Sequence, residues 1–297
     1  MALAKVLDPI GDEMAAVEAR LREVAEGIGS SAGPGPSADG LGRSDILVEI
    51  ARHPFSVPGK RLRPALVLLS SLAAGRSKAS APPREALPPR EAAIGLAAAV
   101  EVLHSASLVH DDIIDGAEER RHQVSLNKRF GNRVAVLAGD ILYTEFFSML
   151  TSLPVPDELR SRLLALFLGT TRKMCVGEIL AQETASSGRS LSFEEYLEIS
   201  EDKTASLFSA CCEGGALVGG ASDEGARALG EFGLLFGLTF QMLDDLADRD
   251  HGLEPGVDLK GLTMEYAARA KAAAARSLAS EGVAELLEHV LDQALSP

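Results

Sequence analysis

The sequence predicts an all-α chain folded as a single domain over residues 1–297, and three observations carry that reading. Apolar residues recur at helical spacing in nearly every long segment, whereas the alternation and hairpin signals of strands are scarce. Alanine and leucine dominate, aromatic residues make up only 4% of the chain and tryptophan is absent. No shift of composition and no repeat of solenoid period divides one region from another. A chain of this length can bury a substantial core.

The elements follow in order. A first helix is expected over about residues 13–26, and residues 27–42, rich in Gly, Ser and Pro, read as a loop. Residues 64–74 are apolar nearly all round, as a helix at the centre of a bundle must be. Residues 75–89 end in Ala-Pro-Pro-Arg-Glu-Ala-Leu-Pro-Pro, an exposed connection between helices because proline supplies no amide donor. Residues 92–109 form a second apolar helix, with His104 its only aromatic ring. A third such helix runs through Phe236 toward Asp248. An Ala-rich helix is expected over residues 265–280 and a last one over residues 283–295.

Composition excludes several function classes. The 43 acidic and 29 basic side chains give a net charge of −14 and a pI near 4.9, so a nucleic-acid partner is not expected. A phosphorylated substrate stays open, because metal ions can mediate between carboxylates and phosphate. Cys175, Cys211 and Cys212 fit neither a disulfide framework nor a zinc spacing and are expected to be core packing in a reducing, cytoplasmic setting. No apolar run reaches the ~18 residues of a membrane span, and residues 1–10 lack a signal-peptide core, so no transmembrane segment is expected.

The chemistry lies where the apolar helices end in charge. Helix 92–109 runs into His110-Asp111-Asp112-Ile-Ile-Asp115. Continued helically, it stacks Asp111 and Asp115 on one face, with Asp112 beside them and His104 two turns below Asp111. Downstream, Gln241, Asp244, Asp245 and Asp248 share one stripe of another apolar helix. Such carboxylates repel one another and raise each other's pKa values. A solvated helix end explains one cluster; two clusters closing buried helices call for hard cations between them. Oxygen-only ligands suit Mg²⁺, which keeps its waters and bridges carboxylates to substrate phosphates. Gly59-Lys60-Arg61-Leu62-Arg63-Pro64 and Arg120-Arg121 supply short basic groups suited to diphosphate oxygens, by arginine forks and the lysine point charge.

In these residues the sequence resembles the trans-isoprenyl diphosphate synthases, the polyprenyl synthetase family. The resemblance spans residues 59–258. It rests on Gly-Lys-Arg-Leu-Arg-Pro, both aspartate motifs, Ala138-Gly139-Asp140, Gly177-Glu-Ile-Leu-Ala-Gln182, Lys203-Thr204-Ala205 and Phe240-Gln241, in that order and spacing. It implies a bundle of mostly antiparallel helices around a deep apolar cavity, usually in a homodimer. It also implies roles. Asp111 and Asp115, with Asp112 adjacent, match the first set of magnesium ligands; Asp244, Asp245 and Asp248 match the second. Arg120 matches the arginine on the allylic diphosphate. Lys60, Arg63, His104 and Arg121 match the residues that hold isopentenyl diphosphate, and Lys203, Thr204 and Gln241 those around the allylic substrate.

The implied reaction is Mg²⁺-dependent, head-to-tail condensation. The allylic diphosphate ionises to a carbocation, the isopentenyl double bond attacks it, and a proton is lost to the departing diphosphate. Ala106 and Ser107 lie roughly 6–8 Å below Asp111 along the helix. Short-chain members of the family tend to place a bulky aromatic floor at one of these levels. Two small residues there imply a product longer than C20.

The tail departs from the family pattern. Glu254 stands where a lysine is usual, Lys260 is a candidate substitute, and the Thr-Leu-Pro element that opens another core helix is absent, so the region after residue 252 is shortened. A non-catalytic or weakly active subunit of a heteromeric synthase is therefore one rival reading. A class I terpene cyclase is another, opposed by Lys60, Arg63 and the Asp-rich second motif.

Overall fold

Helices form where the apolar spacing is helical and end where proline, glycine or clustered charge interrupts it. The computed structural model describes residues 7–30, 43–56, 59–77, 89–120, 123–248 and 252–276. Among these, the α-helices are α1 (Gly11–Ser30), α2 (Arg43–Arg52), α3 (Leu62–Ser77), α4 (Pro89–Ile114), α5 (Leu126–Phe130), α6 (Asn132–Thr151), α7 (Asp157–Ser187), α8 (Phe193–Ser200), α9 (Ser206–Val218), α10 (Asp223–Asp248) and α11 (Leu259–Arg276). The all-α reading holds. Among the described residues the departures are a ribbon of β1 (Glu119–Arg120) and β2 (Gln123–Val124), paired antiparallel, and an isolated parallel bridge between Leu191 and Leu253. Strands of two residues are too short to show alternation in a sequence. Helix α1 also runs to Ser30, four residues into the expected loop. The rest of that loop, most of the proline-rich connection and the expected helix 283–295 lie outside the described residues.

The backbone groups into two compact units. One comprises Asp12–Pro64 and Ile94–Leu153. Its core holds Val17 and Leu21 of α1, Leu96 and Leu103 of α4, and Leu142, Phe146 and Leu150 of α6, all essentially buried. The other comprises Met1–Gly11, Ala65–Ala93 and Pro154–Pro297. There α10 packs along both α9 and α11, with Phe208 of α9 against Phe236 and Phe240. Helices α3 and α9 approach closely because Gly215 and Gly219 have no side chain: a Cβ on either would overlap the main chain of Val67 or Ser71. Buried among these elements, Cys211 and Cys212 are the core residues expected, and burial pushes the Cys212 thiol up to about 12. Cys175, on α7, is exposed instead.

Among the described residues, two helices are long and apolar enough to cross a membrane by length and composition, Arg90–Ile114 and Asn132–Thr151, which corrects the expectation that no run reaches that length. The first is a core helix, 78% buried over its most apolar window. The second is 33% buried and exposes Val136, Leu137 and Ile141.

Arg61 holds the motif-bearing unit together. It is buried, donates through Nε to Glu18 on α1 at 2.7 Å and through Nη1 to Glu101 on α4 at 2.5 Å. Its backbone is left-handed, with φ of 49°, a conformation that disfavours any side chain with a Cβ. The ion pairs therefore hold a strained residue at the start of α3. Glu101 is 4% exposed, so removing Arg61 strands its charge. Arg61→Met should destabilise the chain by about 3–5 kcal/mol, read from urea denaturation; a change below about 1 kcal/mol would show that Glu101 finds another partner.

Candidate active site

The first aspartate cluster sits on the last turn of α4. The Asp115 amide donates to the Asp111 carbonyl at 2.8 Å, so these two residues are one turn apart, as the spacing requires. Asp111 is half-buried and Asp115 exposed. Asp112 is different. Its side chain is buried, and Arg120 donates to it through Nε at 2.6 Å. Burial pushes the Asp112 carboxyl above the ordinary carboxylate range, and Arg120 offsets this only in part. Asn127 closes the loop by donating to the Asp112 and Ala117 carbonyls, and Ser125 donates to Ala117 as well. The β1–β2 ribbon is thus the mount that turns Arg120 back onto the helix end.

Arg63 and His104, distant in sequence, meet at 3.0 Å between Nη1 and Nε2. A guanidinium can only donate, so in this contact His104 accepts at Nε2. Lys60 is exposed. Arg121 lies outside the described residues. Ala106 is fully buried, while Ser107 is half-buried and donates to the His104 carbonyl at 2.9 Å. The Ala138-Gly139-Asp140 motif gains a physical reason: the His110 ring rests where a Cβ of Gly139 would be. That ring nitrogen lies 3.2 Å from the Val136 carbonyl and 3.6 Å from Asp140.

The second cluster belongs to the other unit. Asp244 is exposed and Asp245 half-buried, and Asp248 closes α10. A chain of hydrogen bonds fixes Asp245. Thr204 donates to Gln241 Oε1 at 2.8 Å, Gln241 Nε2 donates to Asp245 Oδ1 at 2.9 Å, and the Tyr196 hydroxyl donates to Asp245 Oδ2 at 2.5 Å. Burial first, then the Asp245 charge, push the Tyr196 phenol far above its usual value, so it remains a donor. Lys203 pairs with Glu178 at 2.7 Å, and Gln182 donates to the same carboxylate at 2.9 Å. Lys203 and Thr204 lie in a π-helical segment, Glu201–Ala205, between α8 and α9, a local widening common at functional sites. Gly177 makes room for it, since a Cβ there would overlap the Lys203 backbone. Glu254 and Lys260 are exposed, and the Glu254 amide donates to the Leu191 carbonyl at 2.9 Å.

Tyr196 and Glu178 were not assigned roles from the sequence. Tyr196 is one of only three tyrosines and stands two turns before Lys203; that register was the available signal. Among the described residues, no three His, Cys, Asp or Glu side chains converge as a metal cage. The donors are oxygen-only carboxylates in ones and twos. Oxygen donors of this kind suit a divalent cation whose coordination is completed by substrate phosphate.

The chain is similar to proteins already known. The family model for polyprenyl synthetase matches residues 44–252. A geranylgeranyl diphosphate synthase of Methanosarcina mazei is 34% identical over 206 residues, 69% of this chain and 60% of its own length. A decaprenyl-diphosphate synthase of Dictyostelium discoideum is 32% identical over 230 residues, 77% of this chain and 46% of its own. The chain therefore spans about half to three-fifths of the length of these curated relatives. A solved polyprenyl synthase from Caulobacter crescentus, complexed with calcium and isoprenyl diphosphate, superposes with a TM-score of 0.77 at 25% identity, covering 100% of this chain and 98% of that one. The chain belongs to the polyprenyl synthetase family.

Proposed function

We propose that this chain is a Mg²⁺-dependent prenyltransferase that condenses isopentenyl diphosphate head-to-tail with an allylic diphosphate, giving a polyprenyl diphosphate longer than C20. The observation that carries the reading is the paired construction of the two aspartate motifs. Each ends an apolar helix, and in each one carboxylate is tied inward, Asp112 or Asp245, while Asp111, Asp115 and Asp244 lie nearer solvent. Mg²⁺, when bound, would draw charge from the allylic diphosphate and favour loss of that group. Asp111, Asp115, Asp244 and Asp248 are the carboxylates proposed to hold it.

The remaining roles belong to protein groups. Arg63, braced by His104, would offer a planar fork to isopentenyl diphosphate, with Lys60 and Arg121 adding charge. Lys203 would exchange its bond to Glu178 for one to the allylic diphosphate. Thr204, Gln241 and Asp245 would fix that end of the site, and Arg120 would act through Asp112. Lys260 is the candidate for the tail lysine. The relatives are named for C20 and C50 products, so family alone leaves product length open, and the small side chains of Ala106 and Ser107 support the longer range. The exposed Val136, Leu137 and Ile141 on α6 support a homodimer through that face. None of the three cysteines forms a disulfide, which supports a reducing, cytoplasmic setting.

The deciding experiment incubates the purified chain with Mg²⁺, a C15 allylic diphosphate and radiolabelled isopentenyl diphosphate. Extension supports the reading. Hydrocarbon release without isopentenyl diphosphate would point to a cyclase, and no product to a non-catalytic subunit. Asp111→Ala and Asp244→Ala should each lower turnover beyond the roughly 10–100-fold typical of outer-shell metal partners, with the fold retained by circular dichroism.

Two further outcomes test the details. Ala106→Phe should shorten the products seen by mass spectrometry while leaving the first condensation nearly intact; wild-type products ending at C15 or C20 would contradict the small-residue argument. Glu254→Lys should lower the Michaelis constant for the allylic substrate by about twofold at low salt, an effect that salt removes. A constant that rises or stays fixed would place Glu254 away from the phosphate.

A further inference from the structure

We infer that Tyr196 is a positioning residue for the second aspartate cluster: its hydroxyl and the Gln241 amide fix the orientation of the Asp245 carboxylate, which braces the cluster while Asp244 carries the cation. The inference rests on the metal-dependent reading above and assigns a role within it that the motif leaves unspecified.

The geometry is specific. Tyr196 is 5% exposed, and its helix is fixed at the start by a capping box between Ser192 and Glu195. Its ring stacks on Phe193, with centroids 6.1 Å apart and planes 19° apart. Phe193 in turn meets the edge of Tyr266 on α11, at 6.2 Å and 78°. A phenol wedged in this way cannot rotate out, so its hydroxyl stays aimed at Asp245 Oδ2. The far side of the carboxylate is taken by Gln241, itself held by Thr204. The two hydrogen bonds, one on each oxygen, set the direction the Asp245 carboxylate faces. Held where it is, Asp245 cannot swing toward Asp244 and Asp248, and its charge is shared with two donors. The aromatic stack also links α11, the element after the divergent stretch at Glu254, to the cluster. In this way the shortened tail still contributes to site geometry.

The test compares the full-length wild type with Tyr196→Phe, Asp245→Asn and the double variant. Mn²⁺ is the probe, with inorganic pyrophosphate present, and bound ion is read by electron paramagnetic resonance; condensation is assayed in parallel. Tyr196→Phe should weaken Mn²⁺ binding about tenfold, in the range of outer-shell partners, with unchanged far-UV circular dichroism. The double variant should bind no more weakly than the weaker single, because both changes act through one contact. Phe193→Leu, which disturbs the stack and keeps the hydroxyl, should lower Tm without a comparable loss of Mn²⁺ affinity. Mn²⁺ affinity within twofold of wild type in Tyr196→Phe overturns the inference, as do losses that multiply in the double variant. Should Tyr196→Phe fail to fold, the comparison with Asp244→Asn decides: Asp245→Asn should cost less Mn²⁺ affinity, and an equal or greater cost overturns the inference. A wild type that condenses while these variants disobey overturns this inference alone. One that neither binds Mn²⁺ nor condenses overturns the proposed function with it.

Discussion

Packing several carboxylates at the end of an apolar helix is unfavourable, and the site is organised around how that repulsion is contained. Each cluster ties its second aspartate into the protein. Asp112 takes a guanidinium from Arg120, and Asp245 takes a phenol and an amide. Several local features serve these two contacts. The short ribbon carries Arg120 back across the end of α4, with Asn127 and Ser125 pinning the loop that allows it. On the other unit, the passage from α8 through the π segment into α9 brings Thr204 to Gln241 and Tyr196 to Asp245.

Missing side chains matter as much as the charged ones. Gly139 admits the His110 ring beside Asp111, and Gly177 admits the Lys203 backbone. At both places the glycine is needed for close approach, not for its own torsion angles. Lys203 is then near enough to Glu178 to be neutralised at 2.7 Å.

Much of this was legible in the sequence, for identifiable reasons. The apolar helices α3, α4 and α10 announce themselves by period, and α4 and α10 end in the charges that mark the site. The meeting of Arg63 and His104 was implied by resemblance, while their contact needed coordinates. Arg120 was read as facing substrate; its contact with Asp112 through Nε was not legible, because a two-residue ribbon leaves no trace in periodicity. Arg61 looked like one more basic residue in a basic run; only its left-handed backbone and its two glutamates distinguish it. Tyr196 and Cys175 show the same limit. Each lies on a helix whose faces the pattern alone did not assign, and one proved buried against a carboxylate while the other proved exposed.

A cation bound as proposed is held jointly by carboxylate and substrate phosphate. Thermal unfolding with Mg²⁺, with inorganic pyrophosphate, and with both tests this most directly. Either component alone should move Tm little, and the two together should raise it by several degrees, since ligands stabilise only in proportion to their affinity for the folded chain. Full stabilisation by Mg²⁺ alone, or no gain when pyrophosphate is added, would contradict a cation shared between protein and phosphate.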